Sequence, residues 1–229
     1  MKLRTICSLG LLLLVCSALF AQLRVLPPPN PSCDGLSNLI EWGSQFRFNA
    51  CHTGYNSYEV ILSPASVGNL VLDWQYTTGD QIISTPAVAN GVVYVGSFDN
   101  NVYALNALTG AKLWSYATGG PVYSSPAVAN GVVYVGSDDQ NVYALNALTG
   151  AKLWSFATGN IVISSPAVAN GVVYVSYYST RVYALNAATG ALLWSYPLSL
   201  EGSSPAVADG VVYVGASDSS VYAFHLPGQ

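Results

Sequence analysis

Ser125-Pro126-Ala127-Val128-Ala129-Asn130-Gly131-Val132-Val133-Tyr134-Val135 recurs letter for letter at 165–175. With Thr85 in place of the first Ser it stands at 85–95, and with Asp209 in place of Asn at 204–214. The prolines of the four copies, Pro86, Pro126, Pro166 and Pro205, are spaced by 40, 40 and 39 residues. Trp74, Trp114, Trp154 and Trp194 are spaced by 40 throughout. A period near 40 with room for four strands per unit predicts an all-β fold, a β-propeller built from one blade per repeat.

One repeat shows how the strands fall. Ser124 to Ala129 reads as the first strand, with Pro126 near its start, where a missing N–H is tolerated. Asn130-Gly131 is a strong hairpin signal, because both turn positions need positive φ. Val132 to Gly136, Val142 to Asn146 and Lys152 to Thr158 complete the blade. Runs such as Val132-Val133-Tyr134-Val135 scarcely alternate, as expected of a sheet covered on both faces by neighbouring blades. A strand of the fourth type, Leu72 to Thr77 around Trp74, precedes the first full repeat, and the last repeat stops after its third strand at Phe224. The count is four blades, with the N-terminal strand completing the last one and leaving no open edge. Two chains giving four blades each to an eight-bladed ring, a homodimer, is the alternative closure.

The 229-residue composition agrees: 52% hydrophobic, 12% aromatic and 8% charged, with 21 Gly, 16 Tyr and one Met. So apolar a chain is not disordered, and its strand formers and turn residues do not suit a helical protein. Seven basic residues against 11 acidic leave a net charge of −4 and no basic stripe, which argues against nucleic-acid binding.

Residues 1–21 read as a signal peptide: Lys2 and Arg4, then an apolar stretch from Leu9 to Val15, then the small residues Ser17, Ala18 and Ala21. The stretch is too short for a membrane span, so none is expected in the mature form. A lipid anchor on Cys16 is the rival, disfavoured by the bulky Val15 before it. Cleavage takes the net charge from −4 to −6 and leaves Cys33 and Cys51. In an oxidising compartment that pair predicts a disulfide, with two buried thiols as the alternative. Residues 22–69 are then a lead-in or cap segment and 70–229 the propeller. The ending Leu226-Pro227-Gly228-Gln229 reads as a stop after a strand. The expected location is secreted, periplasmic or at the cell surface.

Three copies fit Ala-x-Asn-x-x-Thr-Gly-x-x-x-Trp: Ala104, Asn106, Thr109, Gly110, Trp114; Ala144, Asn146, Thr149, Gly150, Trp154; and Ala184, Asn186, Thr189, Gly190, Trp194. The pattern resembles the tryptophan-docking motif of PQQ-like β-propeller repeat proteins, which include quinoprotein alcohol dehydrogenases and the outer-membrane assembly lipoprotein BamB. The resemblance is strong over about 70–226, and Phe46-Arg47-Phe48 with His52-Thr53-Gly54-Tyr55-Asn56 looks like the opening of exported members. In physical terms the glycines supply positive φ. The asparagines bond the turn backbone, and each Trp, Trp74 included, offers a flat surface to the next blade. Losing one buried Trp to Ala costs roughly 3–5 kcal/mol. These residues read as structural rather than as ligand contacts.

Catalysis finds little support. The resemblance to quinoproteins implies a carboxylate base, calcium ligands, a larger ring and often adjacent cysteines. This sequence has no Cys-Cys pair and no Asp-x-Asp-x-Asp spacing. Its acidic residues in the repeats are Asp73, Asp80, Asp99, Asp138, Asp139, Glu201, Asp209 and Asp218, of which Asp99, Asp139 and Asp218 recur at one blade position as turn residues. His52 and His225 are the only histidines, and neither a Gly-x-Ser-x-Gly elbow nor a phosphate loop occurs. No catalytic residue, cofactor or metal is therefore expected. A PQQ-dependent redox enzyme is the alternative.

Comparing repeats locates recognition. Between 81–120 and 121–160 eight positions differ, clustered at the repeat start and at the turn between second and third strands. These turns share one end of the blades, and the constant Asn-Gly and Thr-Gly turns share the other. The third repeat departs furthest, with Tyr177, Tyr178 and Arg181 in that turn, residue types favoured in binding hot spots. The expectation is a non-enzymatic exported propeller that binds or scaffolds a protein or glycan of the envelope or extracellular space.

Overall fold

The computed structural model describes residues 61–176, 181–198 and 202–227. After a short 3-10 turn at Val67–Asn69 every regular element is a strand. Blade 1 comprises β1 (Ala87–Ala89), β2 (Val92–Gly96), β3 (Asn101–Asn106) and β4 (Lys112–Ala117). Blade 2 comprises β5 (Ala127–Ala129), β6 (Val132–Gly136), β7 (Asn141–Asn146) and β8 (Lys152–Ala157). Blade 3 comprises β9 (Ala167–Ala169), β10 (Val172–Ser176), β11 (Arg181–Asn186) and β12 (Leu192–Pro197). Blade 4 comprises β13 (Ala206–Ala208), β14 (Val211–Ala216) and β15 (Ser220–Phe224). Each blade is an antiparallel meander in sequence order, as the repeat predicts for a β-propeller.

The Asn-Gly turns form as expected, with φ of +51° at Asn130 and +73° at Gly131. The first strand is shorter than the sequence suggests. Ladder pairing starts at Ala127, because Pro126 has no N–H to give and Ser124 ties to the second strand by its side chain. The N–H of Gly136 donates to Ser124 Oγ at 3.0 Å, and Gly96 repeats this with Ser84 at 2.9 Å. A bulge between Ala144 and Leu145, repeated at Ala104/Leu105 and Ala184/Leu185, offsets the outer strand in each full blade. An extra residue on one strand adds local twist, which the fanning of blades requires.

The core lies between blades. Tyr94, Val102 and Ala104 of blade 1 pack on Val128, Val133, Val135, Tyr143 and Leu145 of blade 2. Blades 2 and 3 repeat the arrangement with Tyr134, Val142 and Ala144 against Val168, Val173, Val175, Tyr183 and Leu185. Both faces of blades 2 and 3 are thereby dry, which accounts for the low charge and the weak alternation.

The expected strand at Leu72 to Thr77 does not form a ladder, and the last sheet has three strands, with β15 at its edge. The splice of that segment onto blade 4 is thus not made within the chain. Trp74 instead lies against blade 1, with Tyr76 beside it. No helix among the described residues is long and apolar enough to cross a membrane. The expected signal peptide, Cys16, Cys33, Cys51, His52, Tyr177 and Tyr178 lie outside the described residues.

Candidate functional site

The repeated residues gather at one end of the blades, around the turn between third and fourth strands. Asn146 Oδ1 accepts the N–H groups of Leu148 and Thr149 at 3.0 and 2.9 Å, closing the turn. Asn106 and Asn186 do the same in blades 1 and 3. Gly110, Gly150 and Gly190 have φ of +69°, +71° and +73°. They serve a second purpose beyond turn freedom. A Cβ on Gly150 would stand 2.8 Å from Cδ2 and Cε3 of Trp114, and one on Gly190 2.7 Å from the same atoms of Trp154. The bare glycine is the floor on which the preceding blade's indole lies.

Three indole N–H groups find a backbone carbonyl of the next blade. Trp74, Trp114 and Trp154 donate to the carbonyls of Ala107, Ala147 and Ala187 at 3.0, 2.9 and 2.9 Å. Tyr94 and Tyr134 hydroxyls donate to the same Ala147 and Ala187 oxygens at 3.1 Å. One carbonyl thus takes two donors and ties two strands of the preceding blade. Trp194 lacks this seat. Where blades 1 to 3 have Asn and Gly, blade 4 has His225 and Gln229, and the ring packs edge-on to Phe224 with centroids 5.0 Å apart. His225 Nδ1 lies 2.8 Å from the Leu226 carbonyl oxygen at the strand end.

A serine ladder on the innermost strands went unread in the sequence. The N–H of Thr85 donates to Ser125 Oγ at 2.8 Å, that of Ser125 to Ser165 Oγ at 3.0 Å, and that of Ser165 to Ser204 Oγ at 2.9 Å. The recurrence of a hydroxyl residue just before each Pro, at Thr85, Ser125, Ser165 and Ser204, was the signal available. It supplies the acceptor that an inner strand edge otherwise lacks.

The opposite end of the blades carries the variable turns. Asp139 accepts from Asn141 N–H at 3.0 Å, from the Tyr143 hydroxyl at 2.6 Å and from Gly119 N–H at 2.6 Å. Gly119 belongs to the link arriving from blade 1, so this carboxylate pins the link to the turn. Asp99 repeats the set with Asn101, Tyr103 and Gly79, and Asp218 keeps the Ser220 and Tyr222 parts. Desolvation pushes the Asp99 carboxyl up, but bonds from Tyr103, Gly79, Asn101 and Ser97 together outweigh it and hold the group below its ordinary range. Burial first, then the hydrogen bond to Asp99 and the Asp99 charge, push the Tyr103 phenol up to about 12. Blade 3 has Ser179 at this position, and the Tyr183 hydroxyl turns to the Thr158 carbonyl at 3.4 Å.

On these pinned turns the next residue varies freely. Blade 1 presents Phe98, whose ring meets Tyr123 at 4.1 Å. Blade 2 presents Asp138, whose Oδ1 is buried without a hydrogen-bond partner. Desolvation, then the neighbouring Asp139, raises its carboxyl above the usual value. Arg181 opens β11, opposite Pro197, and its guanidinium donates to Ser195 Oγ at 2.8 Å.

A calcium–quinone pair does not fit these donors. Asp99, Asp139 and Asp218 spend their oxygens on turn amides and tyrosine hydroxyls. Among the described residues no three His, Cys, Asp or Glu side chains gather as a metal site.

A family model described as outer membrane protein assembly factor BamB matches residues 71–162 and 157–226. No curated protein matches the chain. Among solved structures, BamB from Moraxella catarrhalis superposes with a TM-score of 0.60 at 23% identity, covering 66% of this chain and 52% of that one. The computationally designed Ika4 protein superposes at 0.61 and 20% identity over 66% of this chain and 94% of its own. Quinohemoprotein alcohol dehydrogenase from Comamonas testosteroni superposes at 0.62 and 26% identity over 69% of this chain and 27% of that one. The chain therefore spans about half the length of the BamB structure and about a quarter of the dehydrogenase. With the matched segments running through all four blades, the chain belongs to the BamB-like family of PQQ-like β-propeller repeat proteins.

Proposed function

We propose that this chain is a non-catalytic binding or scaffold propeller, exported to the envelope or extracellular space, that recognises a protein or glycan through its variable turns. One observation carries the reading: two turns of the same backbone design present different chemistry at one blade end, and the third repeat has yet another residue at that sequence position. Phe98 and Asp138 occupy one blade position, Tyr178 stands at that position in the third repeat, and the turns bearing Phe98 and Asp138 are fixed by Asp–Tyr–Gly bonding. Diverse side chains on a rigid, repeated support are what recognition needs. The family description, an outer membrane assembly factor, supports an envelope setting. Tyr177, Tyr178 and Arg181 are the proposed contact residues, with Phe98 and Asp138 beside them.

The test compares two ends of the same blades. Protein carrying Tyr177→Ala, Tyr178→Ala and Arg181→Ala should lose envelope components that the wild type retains. Leu148→Ser, on an exposed constant turn, should keep them. Equal retention by both variants, with circular dichroism unchanged, refutes the reading. The quinoprotein alternative, favoured by the dehydrogenase likeness, is separated by adding PQQ and calcium. A bound-quinone absorption spectrum would establish it, and an unchanged free-quinone spectrum is expected.

A further inference from the structure

The four blades leave two apolar faces uncovered, and these faces are the two halves of the interface that the chain repeats internally. The leading face of blade 4 presents Tyr213, Val221 and Ala223, at the positions of Tyr94, Val102 and Ala104. Val221 is 76% exposed, whereas Val102, Val142 and Val182 are 0% exposed against the next blade. The trailing face of blade 1 presents Ile82 and Val88. Val88 is 43% exposed, whereas Val128 in blade 2 is 1% exposed. Within the described residues no packing like that of β1 on β5, β5 on β9 or β9 on β13 joins β13 to β1.

Three further features end at the same two places. The serine ladder stops at Ser204, whose N–H has no next rung among the described residues, and starts at Thr85, whose hydroxyl receives none. The sheet of blade 4 ends at β15, with no fourth strand beside it among the described residues. Residues 72–77 sit on blade 1 through Trp74 as β4 sits on blade 2 through Trp114, yet they pair with no sheet. The sheet without an outer strand and the outer strand without a sheet belong at opposite ends of the arc.

The geometry points to a second copy of this chain as the occupant of both faces. Blade 4 of one copy packs on blade 1 of the other, twice, so that two arcs close into one ring about a two-fold axis. The four blades superpose on 52% of BamB, so their blade-to-blade rotation suits a propeller chain about twice as long. Residues 72–77 of each copy become the outer strand of the other's blade 4. The β3–β4 register transfers directly: Ala104 faces Trp114 and Asn101 faces Ala117, so Ala223 would face Trp74 and Ser220 would face Thr77 of the other copy. Ser204 N–H would donate to the Thr85 hydroxyl of the other copy. This assembly goes beyond the binding role proposed above and does not depend on it.

Sedimentation of the intact protein should give twice the chain mass. Val221→Glu and Val88→Glu should each give a folded monomer, since both side chains are exposed in the single chain. Mixing the two variants should restore a dimer, because one wild-type interface survives in the mixed pair. Independently, Thr77→Cys and Ser220→Cys proteins mixed and oxidised should cross-link to each other more than either does alone, against a wild-type background for the native cysteines. A wild-type monomer, an assembly other than two chains, or no recovery on mixing overturns the inference. So does a double cysteine variant that links only within one chain.

Discussion

Gly150→Ala and Gly131→Ala put the same methyl group at nearly the same backbone angle in two different surroundings. Both glycines have positive φ, +71° and +73°. At Gly131 the new Cβ meets nothing within 4 Å, so the change costs only the left-handed penalty, about 1–2 kcal/mol. At Gly150 the Cβ lands 2.8 Å from two atoms of the Trp114 ring, roughly 1 Å inside ordinary contact. The ring cannot retreat cheaply. Its N–H holds the Ala147 carbonyl at 2.9 Å, and Tyr94 packs beside it with centroids 5.8 Å apart. Overpacking adds about 1–3 kcal/mol, and weakening the indole bond adds about 1 more. Gly150→Ala should therefore cost about 2–4 kcal/mol more than Gly131→Ala in urea unfolding followed by circular dichroism. The excess should vanish in a Trp114→Leu background, where the ring is gone. Equal costs in the wild type, or an excess that persists without the ring, would refute the idea that the glycine floor is shaped by the indole.

Three other outcomes follow from the variable turns. Asp138→Asn should raise the melting temperature by about 1–2 °C at neutral pH. The carboxyl is raised in the fold, so its charged form is the destabilising one. The gain should shrink as pH falls through that raised value, and differential scanning calorimetry across pH reads it. Gln140→Gly, at φ +73° on an exposed turn, should add roughly 0.5–1 kcal/mol by relieving a left-handed non-glycine residue, read by urea unfolding. For Tyr103 the folded value of about 12 exceeds the ordinary 10.0, so the stability from its neutral phenol is complete below 10.0 and lost as pH rises toward about 12. Tyr103→Phe should flatten the alkaline limb of the stability profile, and an unchanged slope would show that this phenol is not responsible.

The fold was legible because the repeat is nearly exact. Asn130-Gly131, Gly150 and Trp114 each announce a local geometry, and recurrence at 40 residues turned a set of turns into blades. Less legible was what a residue does for the blade beside it. The positive φ of Gly150 could be inferred from a Thr-Gly turn, but its role under an indole 36 residues earlier needed the packed pair. The same holds for the serine ladder and for the Ala147 carbonyl, because backbone acceptors carry no residue signature. The unpaired segment at 72–77 is the instructive departure. Its residues have the fourth-strand pattern, yet a strand exists only where an edge is in reach, and within one arc the edge of β15 is not.

The junction between blades 3 and 4 shows how the repeat tolerates change without losing its packing. In blade 2 a Cβ on Gly136 would stand 2.6 Å from the Val162 carbonyl oxygen and collide with its side chain. Gly96 meets Val122 in the same way. At the third junction the strand end is Ser176 instead, and the residue across from it is Gly202, where a Cβ would lie 2.7 Å from that of Ser176. The glycine has changed sides, and buried Leu198 closes on the space that the missing Val leaves, its Cδ1 2.9 Å from where a Cβ on Gly202 would stand. Ser176 also gains a bond, its hydroxyl donating to the Ser203 carbonyl at 2.7 Å. The spacing of 39 rather than 40 between the last two prolines falls at this same junction. Divergence in this chain is thus confined to what a neighbour can compensate or to turns that no blade covers. Those turns are the ones proposed for recognition.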